Sequence, residues 1–175
     1  GSWGTLDDFA IFFKRFFVGS AILTLWLSAP YEARLPGGRG EFPALVCFAT
    51  LGMSMLASVN DFVTLFVGLE LLTVSLFLMA AYRPGLPRSI EAGIKFVIIG
   101  AIAAAFLVYG TAFIYGSTGA LDFAGVRAAL NTPEELTGGM KFGLLLILAA
   151  LGFKLGAVPF HVWIPDVYQG SPTPV

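Results

Sequence analysis

Four ionisable side chains lie inside long apolar stretches of this sequence, namely Glu70, Glu91, Lys95 and Lys154. In lipid, a charge near the centre of a helix costs at least about 2.5–3.5 kcal/mol, so it is rarely kept without a partner or a task. A carboxylate favours the protonated form of a nearby amine, whereas burial favours the neutral amine. Paired groups of this kind in an apolar layer are therefore suited to passing protons.

The helical rise places three of these groups at comparable depth. At about 1.5 Å per residue, Glu70 lies roughly 12 Å inside its segment, measured from the side that holds the N-terminus. Lys154 lies roughly 20 Å from that side, and Lys95 roughly 9 Å from the opposite side. In an apolar core about 30 Å thick the two lysines are nearly level, and Glu70 is within reach through long side chains or one water. We expect these three residues to form a proton relay.

Simpler interpretations of the same charges stay open. Glu91 and Lys95 are four residues apart with the acid first, which is a favourable pair on a helix surface. Lys95 can therefore belong to a local pair near the membrane interface. Glu70 and Lys154 can form a structural ion pair that joins two helices. Alternatively, the long side chain of Lys154 can extend toward the membrane surface.

Composition and segment length indicate the elements that carry these residues. Of the 175 residues, 57% are hydrophobic and only 12% are charged, and the mean hydropathy is +0.85. A soluble domain has about a quarter charged residues, and a membrane helix needs about 20 mostly apolar residues. The sequence predicts an all-α, polytopic transmembrane helix bundle that forms a single domain over residues 1–175. Its five membrane helices are expected at about 9–29, 42–59, 62–82, 89–115 and 141–160.

The same composition excludes several kinds of site. One cysteine, Cys47, and one histidine, His161, cannot form a Cys/His metal cluster, an internal disulfide or a Cys₄ iron–sulfur site. The net charge of −1 provides no basic field for nucleic acid. The glycine-rich stretch 36–40 does not lie between a strand and a helix, so it is interpreted as a loop rather than a phosphate cradle. No bond chemistry is expected in this chain alone.

The connecting segments suggest an orientation. Residues 121–130 predict a short surface helix, and residues 132–135 have the pattern of a helix cap. Cytoplasmic loops carry an excess of Lys and Arg. The side opposite the N-terminus holds four arginines, so it is expected to be cytoplasmic and the N-terminus to lie on the outer face. These arginines are Arg34, Arg39, Arg83 and Arg88.

The segment that follows Lys154 predicts a broken helix. Gly152 and Gly156 have the G-x-x-x-G spacing that allows another helix to approach closely. Pro159 removes a helix hydrogen bond, and helix breaks at membrane depth mark ion sites in transporters. Histidine side chains can accept and release protons near neutral pH, so His161 is a candidate for passing protons onward. The alternative is a helix that simply ends at Pro159, with a structural His161 at the interface.

Three motifs resemble a known family. They occupy residues 67–72 (VGLELL), 89–96 (SIEAGIKF) and 152–174 (GFKLGAVPFHVWIPDVYQGSPTP). Together they resemble the antiporter-like membrane subunits of NADH:quinone oxidoreductase (respiratory complex I), and within that family most closely the branch called subunit N in bacteria. The resemblance covers the chain from about residue 7 to residue 175.

The resemblance implies a larger fold built from inverted helical repeats. This chain would be a fragment that holds most of one repeat, and residues 161–175 would begin an interrupted helix. The family's essential glutamate falls on Glu70, its channel lysine on Lys154, a further buried lysine on Lys95, and the histidine of its proline-rich motif on His161. The second half of the family's proton path would lie outside this chain.

The implied function is that of a proton-translocating membrane-arm subunit, which is enzymatic only within the whole complex. No cofactor or metal is expected in this chain, because FMN, iron–sulfur clusters and quinone would be bound elsewhere in the complex. Its partners would be other membrane-arm subunits and the lipid bilayer, with no nucleic acid. The implied location is the bacterial inner (plasma) membrane. The alternatives are a subunit of a cation/proton antiporter or membrane-bound hydrogenase, and a scaffold whose charges only join helices.

Overall fold

The computed structural model describes residues 4–32, 40–83, 85–131 and 137–173. Throughout these ranges the regular structure is helical, and the only β-type pairing there is an isolated antiparallel bridge between Asp61 and Asp122. The described helices are α1 (Asp8–Glu32), α2 (Glu41–Leu56), α3 (Phe62–Ala80), α4 (Pro87–Thr118), α5 (Phe123–Leu130), α6 (Gly138–Leu155) and α7 (Ile164–Gly170).

Among the described helices, four are long and apolar enough to cross a membrane: α1 over Asp8–Tyr31, and α3, α4 and α6 over their full lengths. Helix α2 is also apolar but has only 16 residues. Large apolar side chains cover the outer surface of the bundle, and Trp26, Ile98 and Leu148 are each more than half exposed. An apolar surface of this extent is unfavourable in water and suits lipid. The all-α bundle predicted from composition is confirmed.

The helices pack in a row that brings α3, α4 and α6 together. Helix α2 packs between α1 and α3, and α4 packs between α3 and α6. The short helix α7 also packs against α4. One apolar cluster joins Leu107 and Ile114 of α4 to Ile147 of α6, and Phe66 and Leu69 of α3 pack against it. This shared core places the end of α6 next to the middle of α3.

Glycines allow α4 and α6 to approach at backbone distance. A Cβ atom on Gly110 of α4 would lie 2.8 Å from the carbonyl oxygen of Gly143 on α6, and a Cβ on Gly143 would lie 2.8 Å from the carbonyl oxygen of Gly110. No side chain can occupy such a contact without moving one of the helices. Small residues at helix contacts are the usual means of tight packing in membranes.

The connections at one end of the bundle are tied together by backbone hydrogen bonds. The N–H of Phe62 donates to the carbonyl of Leu121 (3.0 Å), and the N–H of Phe123 donates to the carbonyl of Asn60 (2.9 Å). Asp61 and Asp122 then cap α3 and α5. Helix α5 occupies the segment where a surface helix was expected, whereas the cap pattern at 132–135 and most of the 36–40 loop lie outside the described residues.

Helix α6 ends earlier than the proline pattern predicts. Gly156 adopts a left-handed conformation (φ +62°), the N–H of Ala157 donates to Gly152, and the N–H of Gly156 donates to Phe153. This is the Schellman arrangement, which satisfies the last carbonyls of a helix. The helix therefore stops at Leu155, before Pro159 is reached.

The expected role of the G-x-x-x-G spacing is also corrected. Gly152 faces the ring of Phe160, and Gly156 faces the side chain of Ile164. Both neighbours belong to the chain that returns after the helix end, not to another membrane-spanning helix. The two glycines thus make room for the turn that follows Lys154.

We expect Gly156→Ala to destabilise the protein by about 1–2 kcal/mol, since a residue with a Cβ pays that cost in the left-handed conformation. The added methyl group would also meet Ile164. The measurement is the thermal unfolding midpoint of the detergent-purified protein. Gly116→Ala is the matched control, because Gly116 lies in α4 with nothing near its Cβ position, and it should not lower the midpoint. An equal loss in both variants would contradict this account.

Candidate functional site

Glu70 and Lys154 form an ion pair between α3 and α6. The Nζ atom of Lys154 donates to Oε1 of Glu70 over 2.9 Å. The lysine side chain is 11% exposed and the glutamate side chain 28% exposed. Charged hydrogen bonds of this length are roughly twice as strong as neutral ones. Two of the residues singled out from the sequence are therefore in direct contact, between two helices capable of crossing a membrane.

Thr73 provides a second acceptor for the same amine. Lys154 Nζ donates to Oγ1 of Thr73 over 2.7 Å, and Thr73 itself is buried. Thr73 follows Glu70 by three residues, so both side chains lie on one face of α3. Sequence reasoning missed Thr73, although its spacing from Glu70 was visible.

The break after α6 explains why a lysine is stable at this point. Lys154 lies in the last turn of α6, where the partial negative charge of the helix C-terminus favours a cation. The indole N–H of Trp163 donates to the carbonyl of Phe153 over 3.2 Å, which gives this carbonyl a second hydrogen bond beside the one from Gly156. The chain after α6 therefore folds back and supports the lysine-bearing turn.

Lys95 belongs to a separate cluster. Its Nζ atom lies 2.8 Å from Oε1 of Glu91 and 2.6 Å from Oδ2 of Asp166, and its side chain is 40% exposed. The local pair with Glu91 is thus present, as its spacing allowed. The expected grouping of Lys95 with Glu70 and Lys154 is corrected, because Asp166 of α7 supplies a nearer carboxylate.

Asp166 is the second residue that sequence reasoning missed. It lies in the first turn of α7, where an acid is favoured by the helix dipole. Trp163 stacks on Phe96 of α4 beside it, with ring centroids 4.9 Å apart and planes inclined by 16°. In the local sequence, a helix start was indicated only by Pro165 and Asp166, which lie two and three residues after Trp163. Together the stack and the ion pair attach α7 to α4.

A mostly apolar cavity of about 470 Å³ lies between α4 and the α6–α7 connection. Aromatic side chains of Phe153, Phe160 and Trp163 line it, and Lys95 and Asp166 provide its charged groups. The aromatic layer thus lies between the Lys95 cluster and the turn of α6 that carries Lys154.

His161 is not brought into either charge cluster. Its side chain is exposed on the α6–α7 connection, and its backbone carbonyl accepts from the N–H of Ile164 (3.1 Å). Within the part of the chain that the structure describes, no group of three or more His, Cys, Asp or Glu side chains is arranged to hold a metal ion.

Comparison with known proteins identifies the family. The family profile described as "NADH:quinone oxidoreductase/Mrp antiporter, TM" matches residues 59–175, which is more than half of the chain. The chain belongs to this family. The matched range includes Glu70, Lys95 and Lys154 as well as all of α3 to α7.

Two relatives in the family show how much of a protein this chain represents. It is 46% identical over 169 residues to NADH-quinone oxidoreductase subunit N of Erythrobacter litoralis, which covers 97% of this chain and 34% of the relative. It is 44% identical over 170 residues to subunit N of Heliobacterium modesticaldum, which covers 97% of this chain and 35% of the relative. The chain thus spans about a third of the length of these relatives.

Solved structures carry the same fold. A chain of respiratory complex I from Thermus thermophilus, solved with bound aureothin, matches with a TM-score of 0.78 and 39% identity over 97% of this chain and 36% of that chain. A chain of an archaeal membrane-bound sulfane sulfur reductase matches with a TM-score of 0.73 and 27% identity over 93% and 33%. These matches confirm the antiporter-like membrane fold.

We expect Asp166→Asn to loosen α7, because the neutral amide removes the charge that attaches this helix to Lys95. Amide hydrogens of residues 164–170 should exchange several-fold faster in the detergent-purified protein, as measured by mass spectrometry. Glu91→Gln is the matched control, since Glu91 lies on the same helix as Lys95 and its loss leaves the contact between α4 and α7. Unchanged exchange in Asp166→Asn would show that the aromatic stack alone holds α7.

Proposed function

We propose that this chain is part of a subunit N of NADH:quinone oxidoreductase and that it moves protons through the Glu70–Lys154 pair. The observation that carries the proposal is the 2.9 Å contact between these residues. It joins two helices, α3 and α6, that are each long and apolar enough to cross a membrane. A charge pair in such surroundings is expensive to maintain, which favours a function over a purely structural role.

The pair provides two states for the lysine. While Glu70 is in contact, its negative charge stabilises the ammonium form. When the carboxylate moves away, a cation in apolar surroundings loses its compensation, and release of a proton becomes favourable. The cycle requires only that the distance between α3 and α6 side chains changes, and that a proton acceptor lies further along the path.

The driving reaction takes place elsewhere in the complex. Oxidation of NADH and reduction of quinone would use FMN and iron–sulfur clusters in other subunits, and a charge change in a neighbouring membrane-arm subunit would draw Glu70 away from Lys154. Because the chain spans about a third of its relatives, the rest of the path would lie in the remaining part of the subunit.

Lys95 and His161 are proposed to take part as further stations on this path. Lys95 lies near the start of α4, at the end of the bundle that the loop arginines favour as the cytoplasmic side. His161 lies on the connection that directly follows the lysine-bearing helix. The subunit would lie in the bacterial inner membrane, with the start of α1 toward the outer face.

The identity of the relatives favours this function over an antiporter or hydrogenase subunit. The relatives that match at 46% and 44% identity are named subunit N, whereas the chain of the sulfane sulfur reductase complex is 27% identical. The remaining alternative is a scaffold in which the ion pair only joins α3 to α6. A scaffold requires only that the two side chains hold α3 and α6 together, whereas proton transfer requires that both side chains can ionise.

In the complete complex, Glu70→Gln and Lys154→Ala should each lower quinone-coupled proton pumping by at least about tenfold, because a positioned proton-transfer group contributes about 10²–10⁴-fold. Pumping would be measured in membrane vesicles as acidification driven by NADH, with complex content determined in parallel. Lys141→Ala is the matched control, since Lys141 is an exposed lysine at the other end of α6, and it should pump normally.

A double variant separates transport from scaffolding. Glu70→Gln combined with Lys154→Met keeps the size of both side chains and removes both charges, so a scaffold should remain functional. Proton transfer predicts that this variant assembles but does not pump. Normal pumping by a fully assembled double variant would sink the proposed function.

A further inference from the structure

We propose that Thr73 is a positioning residue that holds the nitrogen of Lys154 at a fixed point on α3 while Glu70 associates and separates. This inference rests on the proposed function of the Glu70–Lys154 pair. It adds a neutral acceptor whose place does not depend on the state of the carboxylate.

The direction of the hydrogen bonds is fixed by the helix. A threonine hydroxyl has one hydrogen to donate, whereas a lysine ammonium has only donors. The hydroxyl of Thr73 lies 2.7 Å from the carbonyl oxygen of Leu69 and donates to it. Its oxygen lone pairs therefore remain to accept from Nζ of Lys154, also at 2.7 Å. Thr73 is thus an acceptor for the lysine and does not itself carry the proton.

Packing fixes the other branch of the same side chain. The Cγ2 methyl of Thr73 lies 3.3 Å from the position that a Cβ atom would take on Gly100 of α4. Thr73 as a whole is only 6% exposed. Its hydroxyl is therefore held by Leu69 and Lys154 while its methyl faces α4, so the side chain has one well-defined rotamer.

This geometry gives the lysine a carboxylate and a hydroxyl as partners on one face of α3. When Glu70 separates, the hydroxyl still accepts from the amine, whether the amine is charged or neutral. The nitrogen then stays in place at the moment its proton leaves. Without the hydroxyl, the long side chain of Lys154 would gain rotamer freedom at this step, and NADH-driven proton pumping would be slower.

Two substitutions test the two branches of Thr73 separately in the complete complex. Thr73→Val keeps the methyl that faces Gly100 and removes the hydroxyl, whereas Thr73→Ser keeps the hydroxyl and removes the methyl. Thr73→Val should lower the rate of NADH-driven proton pumping by about tenfold, the loss expected for one hydrogen bond to a charged group. Thr73→Ser should remain within about twofold of the unchanged protein.

Ser75→Ala is the matched control. Ser75 is buried on the same helix and donates to the carbonyl of Leu71 over 2.8 Å, which is the same backbone contact that Thr73 makes with Leu69. Its recorded hydrogen bond goes to the backbone and not to Lys154. Ser75→Ala should pump normally if the contact with the lysine, rather than helix geometry, is what matters.

Each outcome decides the matter. Loss in Thr73→Val with normal pumping in Thr73→Ser and Ser75→Ala supports the positioning role. Normal pumping in Thr73→Val, or equal losses in Thr73→Val and Thr73→Ser, overturns it. If Glu70→Gln pumps poorly while Thr73→Val is normal, only the role of Thr73 fails. If both variants pump normally, the proposed function of the ion pair fails as well.

Discussion

The contact between Glu70 and Lys154 is the constraint that the surrounding structure has to satisfy. Two opposite charges between apolar helices are tolerated only when they meet at hydrogen-bond distance, because removal of one leaves the other uncompensated. At 2.9 Å the pair meets this condition. It requires that α3 present its acid toward α6, and that α6 deliver its lysine next to α3 rather than to the lipid.

The fold meets both requirements through close packing and a helix break. Gly110 and Gly143 bring α4 and α6 to backbone contact, and the apolar core shared by α3, α4 and α6 fixes their order. Gly156 then ends α6 at Leu155, one residue after Lys154. Lys154 therefore lies in the last helical turn, where the helix dipole favours a cation. Because the N–H groups of Gly156 and Ala157 donate to carbonyls of this turn, the break carries little hydrogen-bond cost.

The sequence allowed the bundle and the central pair to be predicted, because charge within an apolar stretch is visible without a structure. It did not reveal Thr73, since a hydroxyl in a membrane helix ordinarily donates to a carbonyl of its own helix. The depth of a residue also does not show which neighbouring helix its side chain faces. The grouping of Lys95 with the pair was wrong for the same reason. The position of a residue along a helix gives its height in the membrane, but its partner depends on the direction in which its side chain points around the helix axis. Asp166 lies on the side to which Lys95 points and is nearer to it than Glu70 is.

The two lysine clusters differ in how the charge of each lysine is compensated. Lys95 donates to two carboxylates on two helices, so the departure of either acid leaves the other to compensate its charge. Lys154 has one carboxylate and one neutral hydroxyl, so its charge compensation depends on Glu70 alone. A small movement of one carboxylate therefore changes the charge compensation of Lys154 far more than that of Lys95. Under the proposed function, this asymmetry would make the Glu70–Lys154 pair the place where a conformational signal becomes a change in protonation, while the Lys95 cluster also attaches α7 to α4.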